Sequence, residues 1–140
     1  MELFTADTAK RLGTTSTPAP SINSDHPGYH GSGFIAAFGQ TGMAAEFAVP
    51  RTAAGMYRTT FRAANGLPVQ RQTLNVYVNG KLYAPLEIPG LQDWNQWQEI
   101  AMYLPLQAGD NKILLRRDED NSGDINLDCL KVARSPAIAK

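Results

Sequence analysis

Asn126 and Asp128 alternate with Ile125 and Leu127, and the polar loop Asp120-Asn121-Ser122-Gly123-Asp124 leads into them. This is the period of a strand with one face on a core, so both polar groups leave on the opposite face, placed by a rigid element. The same pattern fits an edge strand whose outer face is simply wet, and the segment alone leaves both readings open. Gly90-Leu91-Gln92-Asp93-Trp94-Asn95-Gln96-Trp97 carries both tryptophans of the chain. An exposed indole needs a cover, and a sugar ring supplies one by laying its C–H face on it while nearby amides take the hydroxyls. Trp94, surrounded by Gln92, Asp93, Asn95 and Gln96, is the candidate platform. Trp97, at the start of the following strand, is assigned to the core.

Bond-breaking chemistry is sparsely provided. Asp118, Glu119, Asp120 and Asp124 share one loop, whereas the two carboxylates of a glycosidase must flank a scissile bond from different elements. They read as a solvated acidic turn. Asp118-x-Asp120-x-Ser122-Gly123 begins like a calcium loop, but Cys129 stands where the closing glutamate would be. The sequence shows no phosphate loop, no paired histidine or cysteine spacing and no Gly-x-Ser-x-Gly elbow. Cys129 is the single cysteine, so it forms no internal disulfide and reads as a small buried residue; a catalytic thiol would need His26 or His30 beside it.

The elements that position these groups are strands. Glycine and proline are frequent while only 19% of residues are charged, as in many short strands joined by tight turns. Expected strands are Leu3 to Asp7, Phe34 to Phe38, Ala44 to Val49, Gly55 to Ala63, Gln72 to Val78, Lys81 to Ile88, Gln98 to Leu104, Asn111 to Arg116 and Ile125 to Val132. Asn79-Gly80 is a strong hairpin signal. Gly13 to His30 reads as a long loop; its second half, with Tyr29 and Phe34 among glycines, can leave a ring exposed at a rim. The prediction is an all-β, β-sandwich domain of jelly-roll topology over residues 1–140, with its core at about 3–133 and a tail or linker at 134–140. Thirteen basic and 13 acidic residues, mostly dispersed, argue against nucleic acid and anionic membranes and favour a neutral partner. There is no signal-peptide pattern at Met1, which fits a cytoplasmic protein or an excised module of a secreted one.

The chain resembles the family 35 carbohydrate-binding modules and the related family 6. The resemblance rests on Ala6-Asp7, Gly28-Tyr29-His30-Gly31-Ser32-Gly33-Phe34-Ile35, Phe47-Ala48-Val49-Pro50, Arg62-Ala63-Ala64-Asn65-Gly66, Val76-Tyr77-Val78-Asn79-Gly80, Trp94-Asn95-Gln96-Trp97, Leu106 to Asn111 and Ile125-Asn126-Leu127-Asp128, in that order. It implies a non-catalytic sandwich, monomeric and secreted as part of a larger glycoside hydrolase, binding polysaccharide at one end. By resemblance Trp94 is the stacking platform and Asn126 a partner for sugar hydroxyls. Tyr29, with Phe34 or Phe38, forms an opposing aromatic wall, and Asn65 lies near the rim. Relatives hold a structural calcium at positions matching Asp7 and Asp128, although Thr5 replaces a usual glutamate. Ala63 stands where relatives commonly carry tyrosine.

Few basic groups accompany the candidate loops, which tilts the ligand toward a neutral glycan. The loop from Gly28 to Phe34 looks most like mannanase-associated members, so β-mannan or galactomannan is expected, with uronic acid or α-galactose glycans as alternatives. The competing readings are a glycan-active enzyme and a structural or protein-interaction sandwich.

Overall fold

The computed structural model describes residues 1–137; the last three residues of the expected tail lie outside them. In chain order the strands are β1 (Glu2–Thr5), β2 (Lys10–Leu12), β3 (Ser21–Asn23), β4 (Phe34–Ala37), β5 (Ala44–Ala48) and β6 (Gly55–Ala64). They continue as β7 (Arg71–Val78), β8 (Lys81–Pro89), β9 (Gln98–Leu106), β10 (Lys112–Arg116) and β11 (Ile125–Val132). One sheet has the order β3-β4-β11-β6-β9, with β1 also paired to β11; the other is β2-β5-β10-β7-β8. All pairings are antiparallel, and the sheets stack as a jelly-roll sandwich.

The expected strands all form, with ends shifted by a few residues. The first stops at Thr5, where a 3-10 turn over Ala6–Thr8 carries the chain across to the other sheet as β2. The long loop contains β3, which pairs with β4 from Asn23↔Phe34 to Ser21↔Ala36. Three residues, even in the alternating order Ser-Ile-Asn, are too few to announce a strand. Asn79 and Gly80, at φ 50° and 84°, make the hairpin turn between β7 and β8 with the right-handed twist that such turns match.

Inner faces of both sheets fill the core, with Ile35, Phe61, Ala63, Leu104 and Leu130 from one and Phe47, Leu74, Val76, Leu86, Ile113 and Leu115 from the other. Each large apolar side chain so buried contributes about 1.5–3 kcal/mol. β11 follows the core only by breaking its own period. Its pairing with β6 shifts between Leu127 and Cys129, so Asp128 is the extra residue of a bulge. Ile125 and Leu127 face inward before the bulge and Leu130 and Val132 after it, all in the core cluster, while Asp128 and Cys129 together face outward.

The outer face of β11 is not wet. Asn126 is 5% exposed and Asp128 and Cys129 are at 0%. The segment from His26 to Ser32 covers this face, as its contacts with Asp128 and Asp7 show. The edge-strand reading therefore fails: β11 lies in the middle of its sheet and is buried on both sides.

Candidate functional site

At the end of the sandwich where β6 stops and β9 begins, the loop after β8 packs on the loop after β6. Leu91 N–H donates to the Asn65 carbonyl at 2.9 Å. The Asp93 carboxylate accepts the Asn95 N–H at 2.9 Å and closes the turn that presents Trp94. Gly66 lies directly against the indole. A Cβ there would sit 2.5 Å from Cδ2 and nearer still to Cγ and Cδ1, which places Gly66 over the face of the five-membered ring. Only glycine permits that approach, and Trp94 is left half-buried, with part of its indole exposed. Asn65 is fully buried, its amide donating to the Ile88 carbonyl at 2.8 Å and accepting the Leu67 N–H at 3.2 Å. It braces the loop beneath Trp94 and does not reach the rim.

Aromatic rings continue from Trp94. His26 is 6.4 Å from it between ring centroids and 6.0 Å from Phe34; Tyr29 is 5.9 Å and Trp97 5.4 Å from Phe34. His26 Nδ1 pairs with Asn95 Oδ1 at 2.9 Å, tying the two loops together. Phe34 is fully buried as the hub of this cluster, on the opposite face of β4 from the core residue Ile35. Tyr29 is half-buried, with its ring edge-on to Phe34. Phe38 lies in the central core and is not brought to the site. Asn126 stands between Ala36 and Ala64 in the sheet, so small side chains flank its amide. Ala63, expected to mark a missing wall, belongs to the core; Ala64 is the residue that shares the face of Asn126.

Trp97 is not a core residue. It is half-buried outside the core cluster, donates Nε1–H to the Pro27 carbonyl at 2.8 Å, and lies 5.4 Å from the Arg62 guanidinium. Neither His26 nor Arg62 stood out in the sequence as a site residue. The histidine sits in a loop without periodicity, and the arginine reads as an ordinary outward strand residue.

Asp128, buried completely, accepts Arg62 Nη1–H at 2.6 Å and the His30 N–H at 2.7 Å, and its Oδ2 pairs with His30 Nδ1 at 2.7 Å. Asp7 accepts the Ser32 N–H at 3.2 Å and the Ser32 hydroxyl at 2.9 Å. Hydrogen bonds from the Thr5 and Ser32 hydroxyls hold the Asp7 carboxyl below its ordinary value. Calcium takes six to eight oxygen ligands. Here a guanidinium and N–H groups already converge on Asp128, and a cation on its Oδ2 would lie against the charge of Arg62. The residues present do not fit calcium. Donor atoms of His30, Asp128 and Cys129 do lie within 4.8 Å of one another. Burial, with Asp128 beside it, pushes the Cys129 thiol up to about 12, so it remains protonated.

Glu119 and Asp120 of the acidic loop are exposed, as expected of a solvated turn, but Asp118 is held in a network of its own. Asp118 accepts from Arg116 Nε at 2.6 Å and from Asn75 Nδ2 at 2.8 Å, and also from the Tyr77 hydroxyl. Its carboxylate is spent on structure and is not available for a metal or for catalysis.

Residues 13–134 match the carbohydrate binding module family 6. The chain belongs to that family. It is 38% identical over 111 residues to a cycloisomaltooligosaccharide glucanotransferase of Niallia circulans, covering 79% of this chain and 11% of that protein. The cycloisomaltooligosaccharide glucanotransferase of Paenibacillus sp., solved with cycloisomaltoheptaose, superposes with a TM-score of 0.84 at 30% identity, over 93% of this chain and 18% of the other. A family 35 module from Clostridium thermocellum gives the same fold, with a TM-score of 0.84 at 24% identity over 96% of this chain and 98% of that one. The module thus spans about a tenth of the curated relative. None of these three is a mannanase, and the mannanase origin expected from the loop at Gly28 finds no support in them.

Proposed function

We propose that this module binds a neutral α-glucan of the isomalto type at the end of the sandwich that carries Trp94, and so holds an appended glycoside-acting domain on its polymer. The observation that carries the reading is the half-exposed indole of Trp94, backed by Gly66, with His26 beside it and Tyr29 reached through the same aromatic cluster at Phe34. A pyranose ring covers such a face with its C–H groups, and amides beside it take the equatorial hydroxyls. Uronate would need a free cation, and Arg62, the guanidinium over the Trp97 ring of this cluster, is committed to Asp128. The choice of glucan over mannan comes from the enzymes whose modules this one resembles. The parent protein acts outside the cell, where polymeric glucan is met, and the module works as a monomer.

Affinity electrophoresis in gels containing dextran, galactomannan, glucuronoxylan or no polysaccharide tests this. Retardation in dextran alone is expected. Retardation in galactomannan alone would return the ligand to mannan, and retardation in glucuronoxylan would overturn the argument from charge. Retardation in none of the gels would leave a structural or protein-binding sandwich.

A further inference from the structure

The segment from Pro27 to Ser32 lacks strand pairing of its own, yet it is pinned at successive residues by groups of the sheet beneath it. The Pro27 carbonyl accepts from Trp97 Nε1 at 2.8 Å, and the Gly28 carbonyl accepts from Arg62 Nη1 at 2.6 Å. His30 is held through backbone and ring by Asp128, and Ser32 by Asp7. Tyr29 is left free to present its ring. Arg62 connects most of these anchors. One nitrogen reaches both Gly28 and Asp128, and the guanidinium carbon lies 5.4 Å from the centroid of the Trp97 ring that binds Pro27. Asp128 is at 0% exposure, so its charge must be compensated inside the protein.

We propose that Arg62 is the positioning residue of the glycan-binding loop: its guanidinium is the built-in counter-ion of Asp128, and the loop keeps its shape, and the module its ligand, without a bound metal ion. This rests on the reading that the end bearing Trp94 and Tyr29 takes the glycan. Arginine suits the role because its planar head gives directed bonds to two acceptors and stacks on an indole, whereas lysine offers a point charge with no plane. The bulge at Asp128 is what aims the carboxylate and the arginine at each other, since Cys129 pairs with Arg62 in the register.

The test compares the parent module with Arg62→Gln and Arg62→Lys. Thermal unfolding of the parent should show the same midpoint in excess calcium and in chelator; a calcium-dependent rise of about 5 °C or more would overturn the proposal. Amide hydrogen exchange over residues 28–32 should quicken by about tenfold or more in Arg62→Gln, with Arg62→Lys between it and the parent and the β6–β9 amides unchanged. Equal exchange in parent and glutamine variant would also overturn it, and the lysine variant keeps this readout if the glutamine variant does not fold. Affinity for dextran should fall in the order parent, lysine, glutamine. A parent that binds no glycan refutes the proposed ligand site, while the calcium and exchange results still decide whether Arg62 replaces a metal.

Discussion

A methyl group added at Gly66 tests the Trp94 platform without touching the ligand face. In Gly66→Ala the new Cβ would stand 2.5 Å from Trp94 Cδ2, with Cγ and Cδ1 nearer still. Carbon atoms in contact rest about 3.5–4.0 Å apart, so the indole must shift or tilt by about 1 Å. Gly66 lies outside the left-handed region of the backbone, and alanine adds no conformational strain of its own. A pyranose covering about 60 Å² of the indole, at about 25 cal/mol per Å² on each of the two surfaces, contributes about 3 kcal/mol. Losing all of it in Trp94→Ala weakens binding about 100-fold, and losing half by tilting weakens it about tenfold. Isothermal titration with isomalto-oligosaccharides reads both, and thermal unfolding checks that each variant is folded. Binding by folded Gly66→Ala within about twofold of the parent would refute the stacking geometry.

Leu130→Ala should cost about 3 kcal/mol in denaturant unfolding and Cys129→Ala about 1 kcal/mol, because the bulge turns Leu130 into the core and Cys129 out of it; the reverse order would contradict that register. Burial raises the Asp118 carboxyl, but hydrogen bonds from Tyr77, Asn75 and Arg116 outweigh it and leave it below the ordinary 3.8. Its folded value is thus the lower one, so its contribution to stability is complete above about pH 4, the unfolded value, and is lost as the pH falls from there through the lower folded value. Asp118→Asn should flatten the acid limb of the stability curve, and an unchanged limb would rule this out. Cys129, with its thiol pushed up to about 12 by burial, should react with iodoacetamide at pH 8 only at the rate of unfolding; rapid labelling of the native module would show the thiol to be accessible.

Local signals were legible where one face of an element decides its neighbours. The turn at Asn79-Gly80, the alternation through Tyr57, Thr59 and Phe61, and the tryptophan loop all appear in the structure where the sequence places them. Asn126 was likewise readable as an outward residue. What escaped depends on tertiary cover. Asp128 looked solvent-facing because nothing in an alternating pattern shows that a distant loop folds over it, and the spacing of Leu127, Cys129 and Val132 concealed a bulge that hands the inward position to Leu130. Asn65 looked like a rim residue because a polar side chain at a turn is normally wet, yet its amide serves two backbone groups. Arg62 and His26 acquire their roles only from partners 66 and 69 residues away.

β11 fills the middle of its sheet, between β4 and β1 on one side and β6 on the other. During synthesis, at about 5–20 residues per second, this keystone therefore emerges after all the strands it joins. Until residues 125–132 emerge, β6 and β4 each present an open edge with unsatisfied N–H and C=O groups, the kind of edge that recruits other chains. Closing the sheet also brings Glu2 against Val132, a contact across nearly the whole sequence and so a slow one to form. A chain truncated before Ile125 is then expected to aggregate and not to persist as a shorter domain. The mature module, by contrast, has its two terminal strands side by side, and so can be spliced into a surface loop of a host protein with little strain.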